Sequence, residues 1–312
     1  MNMKEYAFGI DLGGTTAKVG LFTTAGALLE KWEVPTDTSN AGEHILENLA
    51  DAIHGKMTEK EIAAEQVEGV GIGVPGPVLN SSVVPIVCAN LGGWGERNVS
   101  AQLSGLLDGL KVLVGNDANV AALGEIWMGA AKGAKNAVMV TLGTGVGGGI
   151  LTGGRLLEGA RGLGGELGHY RTHALDGVPC TCGATGCWER YAATTALVRA
   201  AKERDPALVD GRAIFAAAEA GDKTVLALLD DWTDEIAQGL AGMVHIFNPQ
   251  LILIGGGVSA QQKLLIDPIA AKVKASVMPA FAEGLELRAA QLHNDAGMVG
   301  AVYYFKQTME KE

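Results

Sequence analysis

The sequence predicts an α/β protein built as two lobes, and three observations lead to this fold class. Segments with the alternating apolar pattern of strands take turns with segments of helical periodicity along most of the chain. The strand, glycine turn, strand pattern of residues 6–22 returns at residues 137–151, so the chain has two starts of one kind. The length of 312 residues exceeds the roughly 250 to 300 at which a single hydrophobic core stops growing.

The elements follow in order from local patterns. The first apolar run predicts a β-hairpin around Gly13-Gly14. Helical periodicity near residues 41–54 precedes a strand that ends at a Pro-Gly turn, VEGVGIGVPGPV. The buried run KVLVGNDANVAALGEIWMGA then passes from strand to helix around Asn116-Asp117. After the cysteine cluster the pattern is mostly helical, before a buried strand, QLILIGGGVS, and a closing helix.

These patterns place the lobe boundaries. We expect a small N-terminal α/β lobe over residues 1–118 and a large α/β lobe over residues 119–298 that carries the cysteine cluster. The closing helix, at 299–312, is expected to pack on the first lobe.

Composition and charge exclude several classes of protein. With 24 basic and 35 acidic side chains the net charge is -11, which repels nucleic acid. Acidic residues interrupt the N-terminal segment, and no run reaches the ~18 apolar residues of a membrane span, so neither a signal peptide nor a membrane protein is indicated. We therefore expect a cytoplasmic protein. The 45 glycines suggest many tight turns where backbone approaches a ligand.

Three glycine turns at the ends of apolar strands are candidate phosphate-binding sites: Asp11–Thr15, Gly143–Gly149 and Gly255–Gly257. Backbone N–H groups exposed by such turns can surround phosphate oxygens, although each turn taken singly is also typical of an ordinary hairpin. The second turn has the dinucleotide spacing GxGxxG, but a strand pattern follows it where that motif requires a helix. A P-loop is excluded because no Lys-Ser or Lys-Thr closes any of the turns.

Three of the four cysteines lie within eight positions, preceded by one histidine. His169, Cys180, Cys182 and Cys187 are the ligand types of a closed, structural zinc site, and reduced surface thiols are the alternative. Cys88 is interpreted as a buried small hydrophobe. Asp117 follows a buried strand and precedes a helix, so helix capping and catalysis both remain open for it.

Two groups of motifs carry a family resemblance that spans nearly the whole chain. Asp11-Leu12-Gly13-Gly14-Thr15 with the GTGVGGG and GGG turns resembles the nucleotide site of the sugar kinase, actin and Hsp70 superfamily, which has a ribonuclease H-like fold and an inter-lobe cleft. The segments ELGH and CTCGATGCWE resemble the signature of the ROK family of repressors, open reading frames and sugar kinases. GVPGPV, CANLGGW and GNDANVAALGE are most similar to those of its bacterial glucokinases.

The resemblance implies an ATP-dependent hexose kinase that phosphorylates the 6-hydroxyl of glucose, with Mg²⁺ and a structural Zn²⁺. Asp117 would be the catalytic base, and Asn116, Glu166, His169 and Glu189 would bind the sugar. His169 would also hold zinc together with Cys180, Cys182 and Cys187. ATP, Mg²⁺ or both would be bound by Asp11, Gly13, Gly14, Thr15, Gly143, Thr144, Gly145, Gly255 and Gly256, with Asp11 as the partner of the metal.

Several alternatives stay open at this point. Fructose or N-acetylmannosamine are possible substrates, and a sugar sensor without catalysis is a different class that has no use for a base at Asp117. A zinc ribbon for nucleic acid is disfavoured because acidic residues outnumber basic ones around the cysteines. Because the first hairpin begins within ten residues of Met1, we expect no DNA-binding segment of a repressor. Family resemblance suggests a homodimer or homotetramer whose partners are a hexose and ATP.

Overall fold

The computed structural model describes residues 4–310. Its contacts divide the chain into two compact units, the first formed by Met1–Lys132, Glu158–Gly164 and Asn294–Glu312, and the second by Gly133–Leu157 and Gly165–His293. The sequence predicts a boundary at residue 118, whereas the contacts group the helix that starts there with the first unit. Within the described part of the chain, every helix falls short, in length or in apolar character, of what a membrane-crossing segment needs.

The first unit is built around a five-stranded sheet. Its strands are β1 (Tyr6–Leu12), β2 (Thr16–Thr23), β3 (Leu28–Pro35), β4 (Val67–Val74) and β7 (Val112–Asn116). Between β4 and β7 the chain forms a separate hairpin of β5 (Val83–Cys88) and β6 (Trp94–Asn98). The sheet order is β3-β2-β1-β4-β7. The first three strands are antiparallel, and β4 and β7 continue from β1 in parallel. The predicted glycine hairpin is therefore confirmed as β1 and β2.

The helices of the first unit cover this sheet. They are α1 (Ile45–Glu59), α2 (Val99–Leu106), α3 (Asp117–Met128) and the chain's last helix (Ala296–Met309). The helix predicted near residues 41–54 thus starts and ends later, and the closing helix starts before 299, while residues 311 and 312 lie outside the described residues. A core of buried aliphatic and aromatic side chains, including Phe8 and Trp94, fills the unit.

Close packing explains part of the glycine content. A Cβ on Gly71 of β4 would lie 1.9 Å from the carbonyl oxygen of Ala301 in the last helix. A Cβ on Gly300 would lie 1.6 Å from the carbonyl oxygen of Val120 in α3. Such distances are impossible for a real side chain, so these glycines let a helix lie directly on a strand and on another helix. The expectation that glycine marks ligand contacts is therefore wrong at these positions.

The second unit repeats the same sheet topology. Its strands are β8 (Ala137–Leu142), β9 (Val146–Thr152), β10 (Arg155–Leu156), β11 (Leu251–Gly255) and β12 (Glu286–Ala289), in the order β10-β9-β8-β11-β12. Three antiparallel strands are again followed by two parallel ones. The two starts of one kind seen in the sequence are thus two copies of one sheet.

The helices of the second unit surround its own core. They are α4 (Glu189–Ala192), α5 (Thr194–Arg204), α6 (Gly211–Glu219), α7 (Lys223–Phe247), α8 (Asp267–Ser276) and α9 (Pro279–Ala282), which makes the chain's last helix α10. Buried side chains of α5, α6, α7 and α8 pack with those of β8 and β11. The long helical pattern after the cysteines is confirmed, while the short strands β5, β6, β10 and β12 have no counterpart in the prediction.

Candidate functional site

In the first unit, the predicted base lies where the last parallel strand meets α3. The residue that caps α3 is Asn116, whose side-chain oxygen accepts a hydrogen bond from the backbone N–H of Asn119 at 3.0 Å. Asp117 is the first residue of the helix, so the N-cap interpretation of Asp117 is wrong. Its Oδ1 accepts hydrogen bonds from the Ala118 backbone at 2.8 Å and from the Asn116 amide at 3.1 Å. The helix N-terminus favours a negative charge at this position.

The same Asn116 amide connects this turn to the neighbouring strand. It donates a hydrogen bond to the carbonyl of Gly76, 3.0 Å away, in the turn that follows β4. Strand β4 pairs in parallel with both β1 and β7, so Asp11, Gly76 and Asp117 all lie near the carboxyl ends of parallel strands. This edge is where open α/β sheets bind ligands.

Asp11 and the first glycine turn lie on the β1–β2 hairpin. The turn is attached to the end of β3, because the Thr36 hydroxyl donates to the carbonyl of Gly13 at 2.8 Å. Gly14 is exposed, and a Cβ there would lie 2.5 Å from the carbonyl oxygen of Asn90. Glycine at this position therefore lets the segment after β5 approach the turn.

The Asp11 carboxylate has an unusual electrostatic environment. Burial raises the pKa of Asp11 above its usual value of 3.8, and the positive charge of Lys18 partly offsets this. The two charged groups are 3.9 Å apart, on paired positions of β1 and β2. A Cβ on Gly297, in the first turn of α10, would lie 2.4 Å from the Asp11 carboxyl carbon. A divalent cation bound beside this carboxylate would offset the cost of ionising it in a partly desolvated position. Sequence reasoning did not identify Lys18.

The second glycine turn joins β8 to β9 and is organised by its neighbours in the second unit. Within it, the N–H of Gly143 donates to the carbonyl of Gly145 at 3.0 Å. The Thr195 hydroxyl donates to the carbonyl of Thr144 at 2.7 Å. Because strand β9 follows the turn, the dinucleotide-binding alternative is excluded.

Within the second unit, the third glycine turn and Glu189, a residue predicted to bind the sugar, lie against this hairpin. Gly256 has a φ of +96°, and a Cβ there would lie 2.2 Å from the carbonyl oxygen of Leu142, the last residue of β8. A Cβ on Gly145 would lie 2.6 Å from Oε2 of Glu189. Gly143, Gly145, Gly256 and Glu189 thus belong to one local arrangement.

A cavity of about 270 Å³ opens beside these turns in the second unit. Its lining comes from the start of α5, the start of α6 and the segment after Gly256, and consists of Thr194, Asp210, Gly211, Arg212, Phe215, Gly257, Val258, Ala260 and Gln261. Sequence reasoning missed this cavity because its residues come from three distant segments that share no motif.

The His169 and cysteine cluster has the geometry of a zinc site. One ligand atom from each of the four predicted residues lies within 4.8 Å of the other three. Sγ of Cys182 and Sγ of Cys187 are 3.6 Å apart, and Sγ of Cys180 is 3.8 Å from Nδ1 of His169. A tetrahedral zinc with Zn–S bonds of about 2.3 Å needs sulfurs about 3.8 Å apart, so the four side chains fit this ion.

Two carboxylates flank His169 on opposite ring nitrogens. Oε1 of Glu189 is 3.8 Å from Nδ1 of His169 and accepts a hydrogen bond from the Cys180 thiol at 3.0 Å. Oε2 of Glu166 is 3.9 Å from Nε2 of His169. The half-exposed Glu166 and the more buried Glu189 thus both lie near the His169 ring, on different sides of it. With Nδ1 facing the cysteines, Nε2 faces away from them.

The loop between His169 and Glu189 is attached to the rest of the second unit through buried groups. The indole N–H of Trp188 donates to the carbonyl of Glu235 in α7 at 2.9 Å. Short bridges pair Arg171 with Cys187 and Pro179 with Thr185. These contacts hold the backbone of the loop in place independently of any metal bound by its cysteines.

Comparison with known proteins identifies relatives along the whole chain. A sequence profile of the ROK family matches residues 7–308. A glucokinase of Halalkalibacterium halodurans is 38% identical, over 97% of this chain and 96% of that protein. A ROK family glucokinase from Streptomyces griseus, solved in complex with glucose and AMPPNP, has a TM-score of 0.77 at 33% identity over 97% of this chain and 99% of that one. A ROK hexokinase from Thermus thermophilus has a TM-score of 0.83 at 34% identity over 98% of this chain and 100% of that one.

These similarities confirm the two-lobed α/β sugar kinase fold that the family resemblance implies. The match of 7–308 leaves almost none of the chain outside the family pattern. The chain belongs to the ROK family.

Proposed function

We propose that this protein is a glucokinase, which transfers the γ-phosphate of ATP to the 6-hydroxyl of glucose to give glucose 6-phosphate and ADP. The observation that carries the proposal is Asp117, a carboxylate held at a helix start by Asn116, in a chain that is 35% to 38% identical to several glucokinases over nearly its whole length. A sugar sensor without catalysis has no requirement for an acceptor of protons at this position.

The chemical step in this proposal is carried by residues of the first unit. The glucose 6-oxygen attacks the γ-phosphorus while the bond from that phosphorus to the β,γ-bridging oxygen breaks, and the electron pair leaves with ADP. Asp117 accepts the proton of the 6-hydroxyl as the oxygen attacks. Asn116 directs the carboxylate through its amide, and its oxygen retains a second lone pair with which to accept a sugar hydroxyl.

Nucleotide binding in this proposal uses the glycine turns of both units. Gly14 and Thr15 in the first unit are exposed and Gly13 is partly exposed, so their backbone N–H groups and the Thr15 hydroxyl are available to phosphate oxygens. Gly143, Thr144, Gly145, Gly255 and Gly256 do the same in the second unit, and the cavity beside them suits the adenosine part of ATP. Mg²⁺ would neutralise charge that develops on the phosphates, and Asp11 is the residue suited to hold it.

Sugar recognition in this proposal falls to the cysteine loop of the second unit. Glu166 and Glu189 accept hydrogen bonds from pairs of sugar hydroxyls, and Nε2 of His169 contacts a further hydroxyl. His169, Cys180, Cys182 and Cys187 hold a structural zinc ion that orients the ring. We further propose that the protein acts in the cytoplasm, where these thiols stay reduced, as a homodimer or homotetramer.

The test is a coupled assay with ATP across a panel of hexoses, with the phosphorylated product identified by NMR. The proposal expects glucose to have the highest kcat/KM and phosphate to be found on oxygen 6. A higher kcat/KM for fructose or N-acetylmannosamine would reassign the substrate within the family. Sugar binding without turnover of any hexose would contradict the enzyme and support a sensor.

A further inference from the structure

Cys88 is a buried thiol beside the proposed base, and the mechanism above gives it no role. It ends β5 and is only 7% exposed. Its Sγ donates a hydrogen bond to the carbonyl of Pro75 at 3.2 Å. Burial raises the pKa of the Cys88 thiol, and the negative charge of Asp117 raises it further, so the sulfur keeps its proton at neutral pH.

The carbonyl that Cys88 contacts belongs to the peptide that leads into Gly76. Gly76 has a φ of +84°, in the left-handed region where glycine rotates without a steric penalty. Pro75 and Pro77 limit the backbone on either side of Gly76, and the Cys88 hydrogen bond to the Pro75 carbonyl further restrains the peptide plane between Pro75 and Gly76. The Gly76 carbonyl on the other side of this residue accepts the Asn116 amide at 3.0 Å.

Asn116 completes a continuous path to the base. Its amide donates to the Gly76 carbonyl and, at 3.1 Å, to Oδ1 of Asp117. If the Gly76 carbonyl turned away, the amide would lose one of the two acceptors that hold its plane. The Gly76 turn, which the Cys88 thiol restrains, is thus one of the contacts that set the direction of the Asp117 carboxylate, beside the hydrogen bonds from the backbone N–H groups of Ala118 to Asp117 and of Asn119 to Asn116.

We propose that Cys88 is a positioning residue for phosphoryl transfer, whose S–H bond to Pro75 holds the Gly76 turn and, through Asn116, directs Asp117. The inference rests on the proposed function and differs from the expectation that Cys88 is a buried small hydrophobe. A hydrophobe is replaceable by valine of similar volume, whereas a donor is replaceable by serine.

The test compares Cys88→Val, which removes the donor, with Cys88→Ser, which keeps one. Val84→Ala is the matched control, because Val84 is fully buried on the same strand without a polar role. We expect Cys88→Val to lower kcat about three- to tenfold, the effect of losing one neutral hydrogen bond, with the KM for ATP unchanged. Cys88→Ser should keep kcat within about twofold, and Val84→Ala should reduce stability in urea without changing kcat.

A pH profile separates positioning from general weakening of the fold. In Cys88→Val the acidic limb of kcat should move to higher pH, because a carboxylate that accepts a weaker hydrogen bond from Asn116 takes up a proton more easily. The limb should stay in place in Cys88→Ser and Val84→Ala. If Cys88→Val does not fold, Cys88→Ala is compared with the other two variants in the same way.

Two results would overturn the inference while the enzyme assignment stands. One is a folded Cys88→Val protein with the kcat and pH profile of the wild type. The other is an equal loss of kcat in Cys88→Ser and Cys88→Val. A wild-type chain that phosphorylates no hexose would overturn both this inference and the proposed function.

Discussion

Replacing Asp117 by asparagine removes a proton acceptor while the local hydrogen bonds remain available. In the structure, Oδ1 of Asp117 accepts from the Ala118 backbone at 2.8 Å and from the Asn116 amide at 3.1 Å. The side-chain oxygen of an asparagine can accept both bonds, so the free energy of unfolding should fall by less than about 1 kcal/mol. The change therefore tests chemistry with little effect on the fold.

The expected loss of turnover follows from the role of a general base. Positioned proton transfer contributes about 10²- to 10⁴-fold to rate, or about 3 to 5 kcal/mol of barrier. We expect kcat of Asp117→Asn to fall by at least about 10²-fold while glucose binding stays measurable by calorimetry. Asp117→Ala is the comparison variant, because it loses the same base and both hydrogen bonds, and it should lose about 1 to 3 kcal/mol of stability as well.

The assay measures glucose 6-phosphate formation at saturating glucose and ATP, beside urea unfolding of each variant. A folded Asp117→Asn protein with kcat within about threefold of the wild type would remove Asp117 from the mechanism, since that is too small for a general base. Loss of glucose binding together with turnover would instead assign Asp117 to the binding of sugar alone.

The remaining predictions concern the metal, the turns and the charges. Elemental analysis of the purified protein should find close to one zinc per chain. Cys187→Ser should lose the zinc and raise the KM for glucose more than the KM for ATP. A fully active protein without zinc would contradict the site. Gly256→Ala should lower the free energy of unfolding by about 1 to 3 kcal/mol, whereas Gly257→Ala, whose Cβ would meet no atom within 4 Å, should leave it unchanged. Tyr304→Phe removes hydrogen bonds to Ser81 and Glu158 and should cost about 1 to 3 kcal/mol in urea unfolding. Burial raises the pKa of Asp11 above 3.8, so Asp11→Asn should increase the free energy of unfolding of the nucleotide-free protein at pH 7. This gain should vanish below pH 3.8, where the carboxyl group is protonated in both states, and the variant should have lower kinase activity. A variant whose stability depends on pH as in the wild type would contradict this sign.

Short motifs predict much of this structure because the residues that determine the local fold lie within the motif itself. The β1–β2 hairpin follows from alternation on both sides of Gly13-Gly14, and the spacing of the cysteines already fixes a compact loop. The sequence places a helix start at Asn116-Asp117, which the structure confirms, but it left open whether Asp117 caps that helix, and the cap is Asn116. Both side chains can cap a helix, and only the structure shows that the Asn116 oxygen accepts from Asn119.

Features that depend on how separate strands, helices and loops meet could not be predicted from the sequence. Lys18 is significant because β-pairing places it opposite Asp11, and a register cannot be read from one strand. The cavity near Arg212 is assembled from three segments. In the sequence nothing distinguishes Gly71 from other strand glycines, and its importance follows from the packing of α10 directly on it. For the cavity and for Gly71 the relevant partners are far away along the chain, whereas Lys18 is close to Asp11 in sequence and gains its importance from the register of the hairpin.

The two glycine hairpins share one sheet topology but differ in the side chains at equivalent positions. Counting back from each turn, the position of Asp11 in β1 corresponds to Thr141 in β8, and Lys18 in β2 corresponds to Gly147 in β9. The second hairpin therefore has the backbone that can surround phosphates but lacks the charged pair. A divalent cation requires anionic oxygen, so the metal role proposed for Asp11 has no counterpart there. In the function that we propose, both hairpins contact phosphate oxygens, while the cation is assigned to the hairpin that carries the Asp11 carboxylate.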